Sequence, residues 1–565
     1  MSVRSDPPAR TLEVSVMSAT VPLAARLAAI EEAVRGADRL PAINLAIDAF
    51  RNGVGHPLVW GLVAEGLEIQ DRKAEALRLL RLSTNAAPGV AETWFRLGRL
   101  LFSMDRRVEA RDALDRGLAI SPRDYRALID AGTVCLRLGH LAAAAGHFRV
   151  AAEVDPEAAE PLSALAVVSG LDGDMPAARS FAARALFISP DLVSAQIAMA
   201  RADVADGAGD LAEPRLTALL ERPDLTDSQR VDAFDLRAEY RDAMGRYPEA
   251  FDDYASRNAV MLRMESPVFA GAGVERQGDR ARRLGAWLEA TPTDAWGVRS
   301  AGPDTAGARE ARRHVFLIGF PRSGTTLLER VLTSHADIVA LEEIDALGVA
   351  GNALLDGEAN LQSLLAMTPK EAAGPRRLYW DSVRQAMGGP IGDRIFVDKM
   401  PLHTVALPLI ARLFPDAGIL FALRDPRDVV LSCFRRRFRI NAAMFEFLTL
   451  EGAARYYDAV MRLAGLARDR LPLNVLDVRH EAVVADFDGE IHKVLGFVGA
   501  PWDPSVRDFA AQVRAVPRTP SAPQVARGLN AEGVGQWRHY QAQLAPVASR
   551  LAPWVERFGY EAAWP

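Results

Sequence analysis

Residues 314–332 read HVFLIGFPRSGTTLLERVL. A short apolar run, VFLIG at 315–319, leads into a turn containing Pro321 and Gly324, and then into TTLLERVL with apolar residues at helical spacing. Gly319 and Gly324 fit the two glycines of the phosphate-loop pattern GxxxxGK[ST], but Thr325 stands where the lysine belongs. A helix opening from such a loop presents backbone N–H groups and a partial positive charge, so an anion is expected there. Thr325 and Thr326 add hydroxyl donors, and Arg322 adds a forked cation. The missing lysine is the one that spans the β- and γ-phosphates of a nucleoside triphosphate, and no acid suited to magnesium is evident. The bland alternative is an ordinary Gly-containing turn, against which the agreement of strand, loop, threonine pair and helix argues.

Working outward, RIFVDK (394–399), GILFALRD (418–425) and LNVLDVRHE (473–481) are further apolar runs that precede helical stretches. Strands alternating with helices predict an α/β domain over 313–565, with a central parallel sheet covered on both faces. Ligands of such sheets gather beyond the carboxyl ends of the strands. FALRDPRDVVLSCFRRR (421–437) reads as a strand ending at Arg424, a proline turn, and a helix carrying Ser432. A cation at a strand end and a hydroxyl two turns on can clamp one phosphate. Taken alone, an arginine at a strand end is more often a surface ion pair.

The first half has a different order. Blocks 57–90, 91–124, 125–158 and 159–192 keep one 34-residue register without a gap. Position 4 holds Trp60, Trp94, Leu128 and Leu162; position 8 holds Ala64, Gly98, Gly132 and Ala166. Position 20 holds Ala76, Ala110, Ala144 and Ala178; position 32 holds Pro88, Pro122, Pro156 and Pro190. Small residues let two antiparallel helices approach, large ones fill between neighbours, and proline stops the second helix. These blocks resemble tetratricopeptide repeats, with weaker copies at 23–56, 193–226 and near 245–255. The expectation is a disordered segment at 1–22, an α-solenoid over 23–260, a linker with a short helix over 261–312, and the α/β domain beyond. The array either props up the rest of the chain or dimerises, or else binds a protein partner or substrate in its groove.

With 49% hydrophobic residues and a formal charge of −6, the chain has material for several cores and no general basic field for nucleic acid. Cys135 and Cys433 lie far apart in sequence and offer neither a metal-ligand spacing nor a disulfide framework. No apolar run is long enough to span a bilayer, and the first residues lack a secretory pattern, so a cytoplasmic protein is expected. Met1 and Met17 are both candidate starts.

The pair of stretches around Arg322 and Arg424 resembles the 5′-phosphosulfate loop and 3′-phosphate motif of the sulfotransferase family, most of all its tyrosylprotein branch. It is similar in arrangement to bacterial repeat-containing sulfotransferases. The resemblance runs from 314 to about 560. It implies 3′-phosphoadenosine 5′-phosphosulfate as donor, the 3′,5′-bisphosphate as product, and no metal. Arg322, Ser323, Gly324, Thr325 and Thr326 would hold the phosphosulfate; Arg424 and Ser432 would hold the 3′-phosphate. SHADIVALEEIDAL (334–347) matches the branch's paired glutamates, which places Glu343 as catalytic base, with Glu342 as second choice. FVDKMP (396–401) places Lys399 at the leaving oxygen. SAPQVARGLN (521–530), followed by Trp537, resembles a loop that closes over the donor, bringing Ser521 and Arg527 to the 3′-phosphate side. Two positions depart from the branch: His480 replaces a tyrosine, and Gln536 replaces a lysine.

The implied reaction is sulfonyl transfer to an acceptor hydroxyl, with a protein tyrosine, a carbohydrate, a lipid or a small phenol all compatible. Competing readings are an interaction scaffold with an inactive domain and an atypical phosphate-loop kinase. His403 and His480 read as structural rather than nucleophilic. FRRRFR (434–439) is either a solvated helix face or an attractor for an acidic acceptor. Oligomeric state is not legible.

Overall fold

The computed structural model describes residues 22–36, 38–271, 273–296, 310–510, 528–529 and 531–561, and divides the chain into two compact units, Met1–Arg222 and Pro223–Pro565. The described part of the first unit is helical throughout. It comprises α1 (Leu23–Val34), α2 (Leu40–Arg51), α3 (Pro57–Ile69), α4 (Lys73–Ala86), α5 (Ala91–Ser103), α6 (Arg107–Ile120), α7 (Tyr125–Arg137), α8 (Leu141–Val154), α9 (Ala159–Leu171), α10 (Met175–Ile188), α11 (Val193–Ala205) and α12 (Gly209–Leu220). From α3 onward both helices of every pair start on the period seen in the sequence, and the weak blocks 23–56 and 193–226 also form pairs.

The period has a backbone cause. Between the two helices of successive pairs, Asp71, Asp105, Gly139, Gly173 and Gly207 adopt left-handed φ between 57° and 86°. The next amide then closes on a carbonyl five residues back, as from Arg72 N to Leu67 O at 2.8 Å and from His140 N to Cys135 O at 2.9 Å, which ends the first helix. Packing fixes the small residues. A Cβ on Gly132 would lie 2.5 Å from the Phe148 ring, and one on Gly98 would lie 2.6 Å from Leu114 Cγ. Where that register holds only Ala182, the facing position takes Ala166.

The second unit opens on α13 (Asp227–Ala243) and α14 (Tyr247–Phe269). Buried Ala238 and Ala250, with Gly245 at φ 72°, continue the repeat's small-residue pattern after a register shift. The pair packs within the second compact unit, which runs from Pro223. Helix α15 (Gln277–Ala290) is the short helix expected in the linker.

A five-stranded sheet follows: β1 (Ala311–Gly319), β2 (Ile338–Glu342), β3 (Gly392–Lys399), β4 (Gly418–Leu423) and β5 (Asn474–Arg479), in the order β2-β3-β1-β4-β5. All neighbours pair in parallel. Alternate β1 residues enter two cores: Phe316 and Ile318 on one face, Val315 and Leu317 on the other. The crossovers carry α16 (Thr325–Thr333), α17 (Ala346–Gly351), α18 (Glu358–Ala366), α19 (Pro369–Met387), α20 (Leu407–Leu413), α21 (Pro426–Arg435) and α22 (Leu450–Arg470); α23 (His480–Ala485) and α24 (Phe487–Val498) follow β5. The expected doubly covered parallel sheet is present. Strand β2 was not anticipated, because IVALE is only five residues long and runs straight into a glutamate pair. The chain leaves β1 toward β2 on one side and later crosses to β4 on the other, so the switch point lies at the carboxyl ends of β1 and β4. Among the described residues no helix is long and apolar enough to cross a membrane.

Two glycines of one repeat should respond with opposite sign. Gly132→Val should lower stability by about 1–3 kcal/mol through overpacking against Phe148. Gly146→Ala, in α8 with nothing within 4 Å of the added carbon, should raise it by about 0.5–1 kcal/mol. Denaturant unfolding of the full chain followed by circular dichroism measures both.

Candidate active site

Strand β1 ends at Gly319, whose α-carbon faces β4 so closely that a Cβ would lie 2.6 Å from the Ala422 carbonyl oxygen. The loop then turns through Arg322 (φ 73°) and Gly324 (φ 96°) into α16. No side chain caps that helix, whereas Asp425 caps α21 by accepting from Arg427 N. The buried Thr325 and Thr326 therefore open a helix at its positive end, behind a glycine N-cap that has no side chain. Ser323 is buried beside them.

Arg322 is only 8% exposed and donates from Nε to Ser432 Oγ at 2.9 Å. Its own backbone carbonyl accepts from Arg424 Nη1 at 3.0 Å. Burial, then Arg436 and Arg424, pull the Arg322 pKa down to about 9. A desolvated cation crowded by other cations favours an anion nearby. The loop candidates and the Arg424–Ser432 pair thus meet at one place, the switch point between β1 and β4.

Arg424 also donates to Gly533 O and lies 3.9 Å from Asp428 Oδ2. Asp428 accepts from Gly535 N at 2.7 Å and Trp537 N at 2.8 Å, and the Trp537 ring lies 3.6 Å from the Arg427 guanidinium carbon. The described end of the expected closing loop is therefore fastened over Arg424. Ser521 and Arg527 lie outside the described residues.

The second group gathers at the ends of β2 and β3. Lys399, fully buried, places Nζ 2.9 Å from Glu343 Oε1, 3.1 Å from Glu329 Oε2 and 4.0 Å from Glu342 Oε1. Burial raises the Glu329 pKa, with Lys399 opposing. The Glu343 side chain keeps 36% of its surface exposed against 1% for Glu342, so Glu343 is the more accessible carboxylate of the two. Its φ is +50°, and Arg322 is the only other non-glycine at positive φ among the described residues of this unit. Each of these two residues carries the cost of a left-handed backbone without being glycine.

Several participants were not marked by the sequence. Glu329 sits on α16 and looks like one more charge of a helix face until the fold turns it onto Lys399. Arg436 lies among the residues read as a charge run. In that run Arg435 pairs with Asp242 and Arg437 with Asp232, so α13 already answers two of its charges. His480 packs on the loop: a Cβ on Gly324 would lie 2.9 Å from its Nδ1. That nitrogen is buried without a hydrogen-bond partner. Burial, Arg424 and Arg322 lower the His480 pKa to about 3. His403 instead joins a network that runs from the surface inward: its Nε2 lies 3.1 Å from Oδ1 of the exposed Asp345, its Nδ1 3.7 Å from Oδ1 of the buried Asp398, and Tyr379 donates to Asp398 Oδ2 at 2.8 Å.

Residues 314–504 match a family model described as the sulfotransferase family. A protein-tyrosine sulfotransferase of Drosophila melanogaster is 25% identical over 44% of this chain and 51% of its own length. The nodulation protein NoeE of Sinorhizobium fredii is 27% identical over 34% of this chain and 51% of its own. An uncharacterised Aquifex aeolicus protein is 24% identical over 43% of this chain and 32% of its own, so the chain spans a third to a half of these relatives. A solved tetratricopeptide repeat protein from Parabacteroides merdae aligns over 42% of this chain and 92% of its own, at 15% identity and a TM-score of 0.34.

His480 should make the protein acid-sensitive. Unfolded, its imidazole titrates near 6.5; folded, it stays neutral down to about 3, so protonation favours the unfolded chain between these values. The stability it permits is present above about pH 6.5 and lost as pH falls. Urea midpoints from pH 7 to pH 4 should drop less in His480→Gln than in wild type; parallel profiles would contradict the assignment.

Proposed function

We propose that this chain, with a sulfotransferase-family domain at 314–504, transfers a sulfonyl group from 3′-phosphoadenosine 5′-phosphosulfate to an acceptor hydroxyl. The observation that carries the reading is the convergence of Arg322, Ser432 and Arg424, with Arg322 Nε 2.9 Å from Ser432 Oγ and Arg424 Nη1 3.0 Å from the Arg322 carbonyl, which would set two anion pockets side by side. A donor with a phosphosulfate at one end and a 3′-phosphate at the other needs two such pockets side by side. The loop and the α16 N-terminus suit the first group; Arg424, Ser432 and Arg436 suit the second.

In this reading the acceptor oxygen attacks sulfur as the bond to the 5′-phosphate oxygen breaks, and negative charge grows on that oxygen. Arg322 and Lys399 oppose it from fixed positions, and one such donor in a dry site is worth on the order of 3 kcal/mol. Glu343 takes the acceptor proton. Before transfer it pairs with Lys399 Nζ at 2.9 Å; once it has taken the acceptor proton, the ammonium loses that charge partner and is available to the leaving oxygen. Glu329 holds the ammonium from the other side throughout, 3.1 Å away.

Relatives named protein-tyrosine sulfotransferases support a protein tyrosine as acceptor, and a repeat array is suited to hold a protein substrate or partner. Cytoplasmic location and metal-free transfer belong to the same proposal.

Calorimetry should show 3′-phosphoadenosine 5′-phosphate binding without metal and more tightly than ATP with magnesium, and Arg424→Ala should weaken it about 10–100-fold. A preference for ATP with magnesium would overturn the reading. In transfer assays, Glu343→Gln should lower kcat by about 10²–10⁴-fold, and Glu342→Gln far less; equal losses would remove Glu343 as base.

A further inference from the structure

Helix α21 carries the 3′-phosphate half of the site along its length: Arg424 precedes it, Ser432 lies in its last turn, and Arg436 is its C-cap. The last carbonyls of a helix have no partner inside it and must find one elsewhere. Here they are met from a distant part of the chain. Phe434 O accepts from Arg257 Nη2 at 3.1 Å and from Asn258 Nδ2 at 3.0 Å, and Arg435 O accepts from Arg257 Nη1 at 3.0 Å. Arg257 is fully buried and Asn258 only 2% exposed.

These two residues belong to α14, the second helix of the hairpin with the repeat's small-residue pattern, and the hairpin is built to aim them. Arg257 pairs with Asp235 of α13 and donates to Asn258 Oδ1 from Nε at 3.0 Å and from Nη2 at 2.9 Å. Phe251 of α14 stacks on Phe434 with ring centroids 5.0 Å apart. Asp242 of α13 bonds both Arg435 and the Tyr540 hydroxyl, while Arg435 donates to Gln536 Oε1 at 3.1 Å in the loop fastened over Arg424. A buried guanidinium is costly to leave unmatched, so this cap is stiff.

We infer that Arg257 and Asn258 are positioning residues of the donor site: the repeat-type hairpin caps α21 and so fixes Ser432 and Arg436 where the 3′-phosphate is held. The inference rests on the donor reading above and extends it to residues outside the matched stretch 314–504. A shift of helix end by a fraction of an ångström would misplace Ser432 and Arg436 directly and reach the loop pocket only through the Ser432–Arg322 bond.

The test compares two ligands on the full chain: 3′-phosphoadenosine 5′-phosphate and AMP, which lacks the 3′-phosphate. Calorimetry on wild type, Asn258→Ala and Arg257→Lys, with melting temperatures recorded alongside, should show the bisphosphate weakened about tenfold and AMP nearly unchanged. General destabilisation would weaken both ligands together. If Arg257→Lys fails to fold, Asn258→Ala carries the test, since it removes one cap and keeps the buried cation. A wild-type preference for the bisphosphate that survives the substitutions overturns the inference alone. A wild type with no preference overturns the donor reading and the inference with it.

Discussion

Arg424 donates to the backbone carbonyl of Arg322, and Arg322 donates to Ser432. These two bonds tie the turn after β1 to the helix after β4 across the switch point, and the rest of the site is arranged around them. Arg322 can present its carbonyl one way and its guanidinium the other because its backbone is left-handed. That conformation costs an arginine on the order of 1–3 kcal/mol, and the bonds on either side offset it.

The same logic holds at the other strained residue. Glu343 follows β2 at φ +50°, with its amide bonded to Lys399 O at 2.9 Å and its carboxylate on Lys399 Nζ. Backbone and side chain of one lysine thus set one glutamate. Lys399 is buried between Glu343 and Glu329, and Glu329 stands on the helix that follows the β1 loop, so Glu343 and that loop are linked through one lysine. No part of this needs a long-range motion. It needs only that β1, β2, β3 and β4 keep their register.

Much of this was legible because local chemistry marks it. GFPRSGTT between an apolar run and a helical pattern can only be a loop at a strand's end, and LRD before a proline places Arg424 at another. The period in the first half was equally plain, since Gly132 faces Phe148 and left-handed residues recur between its helices. What escaped were residues whose meaning is purely spatial. Glu329 is an ordinary helix charge until packing removes water from it, and Arg436 is one until the fold brings it near Arg322. Arg257 and Asn258 carry no motif at all; their partners are backbone carbonyls far along the chain, a type of contact that leaves no trace in composition or spacing. The hairpin that holds them keeps the repeat's small residues, which drew it into the array, yet its packing assigns it to the second unit.

The central claim is that one adenosine bisphosphate bridges the two pockets. A structure of the chain with 3′-phosphoadenosine 5′-phosphate tests it most directly. The 5′-phosphate should lie on the α16 N-terminus beside Arg322, and the 3′-phosphate within hydrogen-bonding distance of Arg424 and Ser432. A nucleotide bound elsewhere, or with its 3′-phosphate turned to solvent, would contradict the account.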